Sequence, residues 1–184
     1  MTLLAAHLND AGILITDGER ILCREPGFAL LEDDGLITGR EAWASASLKP
    51  RRIQNHYWSE LATTTLTDAR FKHLTAADLV SKQLETLWQR VAKPGDRLAL
   101  AVPAYMSNEN LGLLLGIAVD LGIPVVAMVD AAVAATRRQY TSAVPVNIDL
   151  GLHSAMVTRL TQDTQAQCER AVVVDESGML DLYD

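Results

Sequence analysis

The sequence predicts an α/β fold: a mixed five-stranded sheet with helices on both faces, followed by the first strands of a second, similar sheet. Three observations predict it. Short strands joined by tight turns open the chain. Compact apolar strands alternate with amphipathic helices from Thr75 onward. A fresh antiparallel pair then begins at Val144. The predicted division is residues 1–142 as the first domain and 143–184 as the start of a second.

Leu3 to Leu8, Gly12 to Thr16 and Arg20 to Arg24 read as three strands. Asn9-Asp10-Ala11-Gly12 joins the first two, and Asp17-Gly18 joins the next two as a hairpin turn. Pro26 offers no N–H and breaks the ladder, before Phe28 to Leu31 resumes as a strand ahead of Asp33-Asp34-Gly35. Arg40 to Leu48 reads as a short helix, and residues 49–73 as an irregular excursion from the core.

Helical order returns at Thr75, which with Asp78 makes a capping box. Val80, Leu84, Leu87, Trp88 and Val91 form one apolar stripe, and Lys93-Pro94-Gly95 ends the helix. Arg97 to Val102 is continuously apolar after its first residue, as expected of a strand buried on both faces. Ser107 caps the next helix, whose expected buried face is Leu111, Leu114, Leu115 and Ala118. Pro124 to Val129 reads as a second buried strand and Ala131 to Arg138 as a short helix. After the Val144–Leu160 hairpin comes a strand at Ala171 to Val174 and a turn at Glu176-Ser177-Gly178. Met179 to Asp184 reads as a helix that stops as it starts, which suggests a domain cut short. This order is the ribonuclease-H-like topology, present once and begun again.

The 184 residues suffice for one domain with a substantial core, and 49% hydrophobic content excludes a disordered chain. A net charge of −7 with no basic cluster argues against nucleic acid or an anionic membrane as partner. Cys23 and Cys168 fit no metal spacing and read as reduced thiols of a cytoplasmic protein. No apolar run is long enough to span a bilayer, and no signal peptide is visible.

In the hairpin, Val146 and Ile148 alternate with Asn147 and Asp149. Gly151 can take positive φ and leaves room for a ligand near the backbone. Turn N–H groups form an anion site, and Asp149 is placed to hold a hydrated Mg²⁺. The plainer reading is hairpin chemistry alone.

Ala101-Val102-Pro103-Ala104-Tyr105-Met106 resembles the Val-Pro-Ala-Tyr-Phe strand end of the seventy-kilodalton heat-shock chaperones. Leu121-Gly122-Ile123-Pro124-Val125-Val126 leads, as in that family, to an Ala-rich helix, here Val129 to Ala135. Asn147-Ile148-Asp149-Leu150-Gly151 resembles the family's second phosphate loop, Asp-Leu-Gly-Gly-Gly-Thr. Thr38 to Ala42 and Thr67 to Arg70 are fainter echoes. The resemblance places the chain with the actin, sugar-kinase and heat-shock ATPase superfamily. It implies ATP and Mg²⁺ in a cleft between two domains, and co-chaperones or unfolded polypeptide as partners of the full-length protein. It implies cofactor contacts from His7, Asn9, Asp10, Gly151 and Ser154, with Asp149 and Asp130 as catalytic carboxylates and Asp149 as the metal's partner through water. The family's lysine falls near Arg70 or Lys72.

The departures bear on chemistry. The family's first loop reads Asp-Leu-Gly-Thr-Thr; here His7-Leu8-Asn9-Asp10-Ala11 stands in its place. His7 replaces the leading carboxylate, unless Asp10 serves from a shifted position, and Asn9 replaces the glycine. A histidine is no substitute for Asp toward hydrated Mg²⁺. It either contacts phosphate when protonated or simply ends a strand. In the second loop Leu152 and His153 replace glycines and Ser154 replaces threonine. A Cβ at such places obstructs phosphate.

Two functions compete. One is the N-terminal part of a chaperone nucleotide-binding module with ATP binding weak or lost. The other is a non-enzymatic assembly or regulatory module that keeps the fold. Independently, the unfinished second sheet predicts a homodimer through residues 144–174, or strands folded back on the first domain through Met156, Leu160 and Val172. A ribonuclease-H-like nuclease needs clustered carboxylates, for which Asp10 and Asp130 are poor candidates.

Overall fold

Strand β1 (Leu3–His7) lies at the centre of the main sheet. It pairs antiparallel with β2 (Ile13–Thr16), which pairs antiparallel with β3 (Ile21–Glu25). The computed structural model describes residues 1–33, 35–68, 71–136 and 138–183. On the other side of β1 the parallel strand β7 (Arg97–Val102) follows, then β8 (Val125–Asp130), giving the order β3-β2-β1-β7-β8. Between β3 and the later strands the chain builds a small sheet from β4 (Ala29–Glu32), β5 (Gly35–Thr38) and β6 (Ile53–Gln54), ordered β5-β4-β6. A third sheet, antiparallel and ordered β11-β10-β9, comprises β9 (Val146–Leu150), β10 (Ser154–Gln162) and β11 (Ala166–Asp175). β11 starts five residues before the strand expected at Ala171. Its polar first half, Gln167 to Arg170, gives no apolar signal, but the pairing with β10 carries it.

The main core forms where strand alternation meets helical periodicity. Leu4, Ala6, Ile13, Ile15, Leu98 and Leu100 point to one face of the sheet. Helices α2 (Ala76–Val91) and α3 (Asn108–Asp120) complete the core with Leu79, Val80, Leu84, Leu87, Leu114 and Ile117. The capping box at Thr75 is present: Asp78 N–H donates to Thr75 Oγ1 at 3.1 Å, and Thr75 N–H to Asp78 Oδ2 at 2.7 Å. Ser107 caps α3 in the same way with Asn110. The buried face of α3 is rotated from the expected one, since Ile117 is buried and Leu115 is exposed.

The opposite sheet face is open at Leu3, Ala5 and Val129. β8 was expected to be buried, yet Val126 and Val129 are exposed. An edge strand covered on one side retains the apolar composition of a central one, so the run alone does not tell them apart. The short helices α1 (Arg40–Ala44) and α4 (Ala131–Ala135) end sooner than their sequence patterns suggest.

Residues 49–68 and 71–73 are irregular in outline, with a 3-10 turn at Pro50–Arg52, but they return to the core. Tyr57, Trp58, Leu61 and Phe71 are all buried there. Gln83 on α2 pins them: Trp58 Nε1 donates to its Oε1 at 2.7 Å, the Tyr57 hydroxyl donates to the same oxygen, and Gln83 Nε2 donates to the Pro26 carbonyl at 2.8 Å. Of the lysine-equivalent candidates, Lys72 is exposed, and Arg70 lies outside the described residues. The final segment forms a single 3-10 turn, Asp181–Tyr183.

Candidate functional site: the junction of two turns

The β1–β2 turn faces the β9–β10 turn, as the resemblance implies. Asn9 closes an Asx turn, its Oδ1 accepting from Ala11 N–H at 2.8 Å, and Gly12 N–H donates to the Asn9 carbonyl at 2.9 Å. Across the junction Asn9 Nδ2 donates to Asp149 Oδ1 at 2.6 Å and to the Leu150 carbonyl at 3.0 Å. His7 Nε2 stands 3.4 Å from Asp149 Oδ2. Both oxygens of Asp149 therefore have protein partners.

Asp10 reaches further in. Its Oδ1 accepts the Leu152 N–H at 2.8 Å in a buried bond. Gly151 makes this approach possible, because a Cβ there would sit 2.7 Å from the same oxygen. Positive φ is not the reason: Gly151 does not adopt it, whereas Gly18, Gly39, Gly95 and Gly122 do. The space beside the second loop exists, but a carboxylate of the chain itself fills it. The anion-accepting N–H expected in this loop is real, and its anion is Asp10.

Burial pushes the Asp10 carboxyl above its ordinary range, against the Leu152 N–H, the His153 charge and the Ala11 N–H, which pull it down. For Asp149 burial also acts upward, but the hydrogen bond and charge of His7 and the Asn9 amide outweigh it and hold the carboxyl below its usual range. Tyr105 is pushed up by burial and by these two carboxylates. Tyr105, Pro103 and Met156 wall the remaining cavity together with Gly151 and Ser154. Its volume is about 10 Å³, room for one water at most.

His153 leaves this cavity. It stacks on His56 with ring centroids 3.6 Å apart and planes 14° from parallel. Its Nε2 is buried with no hydrogen-bond partner among the described residues. Burial first, then the His56 charge, lowers its pKa below the ordinary histidine value. Asp130 is also elsewhere: at the end of β8 it caps α4, its Oδ1 accepting from Ala132 N–H at 2.8 Å and Val133 N–H at 3.3 Å. The junction thus gathers His7, Asn9, Asp10, Asp149, Gly151 and Ser154, while Asp130 serves α4. Sequence reasoning did not assign the cavity walls Met156 and Tyr105 to the site. Tyr105 lies in the Val-Pro-Ala-Tyr stretch, which was its only signal.

ATP and Mg²⁺ do not fit this arrangement. The second loop's amide is satisfied by Asp10, both oxygens of Asp149 are engaged, and no phosphate group enters a cavity of about 10 Å³. Among the described residues, no three His, Cys, Asp or Glu side chains are grouped to hold a metal. No helix among them is long and apolar enough to cross a membrane. Both cysteines are free, Cys23 buried and Cys168 exposed.

No family model matches the chain, and no curated protein does. Solved structures do. MreB5 of Spiroplasma citri bound to ADP superposes with a TM-score of 0.71 at 15% identity, covering 97% of this chain and 53% of that one. The same protein bound to AMPPNP gives 0.70 at 14% identity, covering 95% and 52%. The chain spans about half the length of these structures. At such identity the likeness concerns the fold alone, and it does not extend to the chaperones in particular. The chain has the actin-like ATPase fold, an α/β architecture on a mixed five-stranded sheet.

Proposed function

We propose that the chain is the first part of an actin-like nucleotide-binding module of heat-shock-chaperone type, in which ATP binding is weak or lost and hydrolysis is inactive. The order of its motifs supports the module: two turns of phosphate-loop character face each other on adjoining sheets. The Asp10–Leu152 bond carries the loss, because the chain's own carboxylate occupies the loop amide that a phosphate would need. Binding a nucleotide here requires the two turns to part and the Asn9 and Asp10 cross-links to break. Phosphoryl transfer rests on positioning and charge stabilisation, which a parted junction does not supply.

The test is a steady-state phosphate-release assay beside a thermal shift with ATP and Mg²⁺. The expected result is release at background and no shift, since a ligand that binds the folded state raises its melting temperature. Repeated Mg²⁺-dependent turnovers that Asp149→Ala abolishes would overturn the reading.

One observation favours a second reading, a non-enzymatic assembly module. The outer face of β9–β11 presents Val146, Ile148, Leu150, Val172 and Val174 to solvent. A second copy of the chain seated on this face through residues 144–174 would cover it in two-fold symmetry. Light scattering over a concentration series tests it, and a monomer throughout removes it.

A further inference from the structure

A second concavity lies on another side of the first turn, and nothing in the nucleotide reading uses it. Its volume is about 650 Å³, within the range of roughly 300–1,000 Å³ typical of small-molecule sites. Phe28 and Leu152 form its buried floor. Trp43, 55% exposed, and Met179 form apolar walls. Among the described residues, the only charged ones lining it are Arg24 and Arg40, in a chain of net charge −7.

The two arginines are placed by local structure. The Arg24 guanidinium lies across Gly12, where a Cβ would come 2.6 Å from Nε. Glycine at this position is what lets the side chain lie flat against the turn. Arg40 Nη2 donates to the Arg24 carbonyl at 3.3 Å, which holds the second guanidinium beside the first. Glu25, their neighbour, is engaged elsewhere: its carboxylate accepts the Arg40 N–H at 2.7 Å and pairs with Arg90. Among the described residues neither guanidinium meets a carboxylate. Two unneutralised planar cations therefore flank an apolar floor and an indole face.

We propose that this groove is a binding site for a small anionic amphiphile, a flat apolar body bearing one carboxylate or sulfonate. The body rests on Phe28, Leu152 and the Trp43 ring, where aromatic and apolar contact are both available. The acid group takes the Arg24 and Arg40 forks, whose paired N–H donors suit two oxygens of a carboxylate or a sulfonate.

The probe is anilinonaphthalene sulfonate, with phenylnaphthylamine as the same body without the acid. Binding is read by dye fluorescence, by the part of the energy transfer from tryptophan that Trp43→Phe removes, and by amide and indole shifts in a nitrogen-15 spectrum. Saturable one-to-one binding is expected, with shifts at Gly12, Trp43 and Met179. Removing a charge-assisted contact costs about tenfold in affinity or more, so phenylnaphthylamine, Arg24→Gln and Arg40→Gln should each bind that much more weakly. Ile148→Lys, on the exposed strand face, should leave affinity unchanged. Equal affinity for the neutral dye, or binding lost in Ile148→Lys and retained in both arginine variants, would overturn the site. The spectrum decides independently of any variant's folding: saturation without shifts at Gly12 or the Trp43 indole also overturns it.

Discussion

The five-stranded sheet and the β9–β11 sheet carry similar aliphatic strands and use them in opposite ways. In the first, Leu98 and Leu100 turn toward α2 and α3 and are buried. In the second, Val146 and Ile148 turn outward, and the polar residues Asn147 and Asp149 turn inward, Asp149 toward the junction. The first sheet is therefore held by burial. The second leans on Met156 and Leu160, which are buried, and on the side-chain links that His7, Asn9 and Asp10 make to it. Strand composition predicts neither role; what covers the face decides it.

The largest effect expected from this contrast is in the first sheet. Leu100 is 2% exposed, so Leu100→Ala should destabilise by about 2–5 kcal/mol in chemical denaturation. A cost below about 1 kcal/mol would mean that the helices do not pack on β7 as described.

The links come next. Asp10→Ala strands a buried N–H at Leu152, which costs about 1–3 kcal/mol. Gly151→Ala should cost a comparable amount, because its new Cβ displaces the same carboxylate. Combined, the two should cost much less than their sum, since both break one bond. Full additivity in that double variant would show that Asp10 and Gly151 act separately.

The sequence made much of this legible, for physical reasons that differ by residue. Thr75 and Ser107 announced their helices because a cap needs only residues three apart. Asp17-Gly18 announced a hairpin because positive φ there favours glycine. Asp149 was singled out by its motif as a partner of Mg²⁺; in the structure its carboxylate faces His7 and Asn9. The role of Asp10 was not legible, because its partner lies 142 positions away. The burial of Tyr57 and Trp58 was hidden for the same reason: their anchor, Gln83, lies 25 or more positions away, a polar residue set within the apolar stripe of its helix.

A smaller effect concerns pH, and it also tests how the second sheet is held. The His56–His153 stack joins the region before Tyr57 to the β9–β10 turn. Groups acting on His153 include His56 and burial, which lower its pKa, and Asp10, the Asn55 backbone and Asp181, which raise it; Glu60 lies beyond, 4.0 Å from His56. The net shift is downward from 6.5. As pH falls through 6.5 the unfolded chain takes up a proton that the folded chain still refuses, so stability falls from that point down to the lowered folded value. Below the lowered value the loss is complete. His153→Phe preserves a stacking ring and removes the titration. Its stability should lose the downward slope that the parent shows just below pH 6.5 in denaturation midpoints. An unchanged slope would assign the pH dependence to other groups.

The smallest effect is on the outer face, and it is the sharpest test of the contrast. Ile148 is 66% exposed. Replacing it by threonine keeps the β-branch that suits a strand and exchanges an apolar ethyl group for a hydroxyl. If the face is solvated, Ile148→Thr should change stability by less than about 0.5 kcal/mol, as exposed substitutions do. If a second copy covers the face, the same change removes buried apolar area and costs more, and the cost grows with protein concentration because association and folding are then linked. Denaturation midpoints for both chains, at low and high concentration, separate the cases. A small cost independent of concentration supports the solvated face and the contrast between the sheets. A cost approaching that of Leu100→Ala, present only at high concentration, would show that the second sheet is also held by burial, with its cover supplied by another molecule.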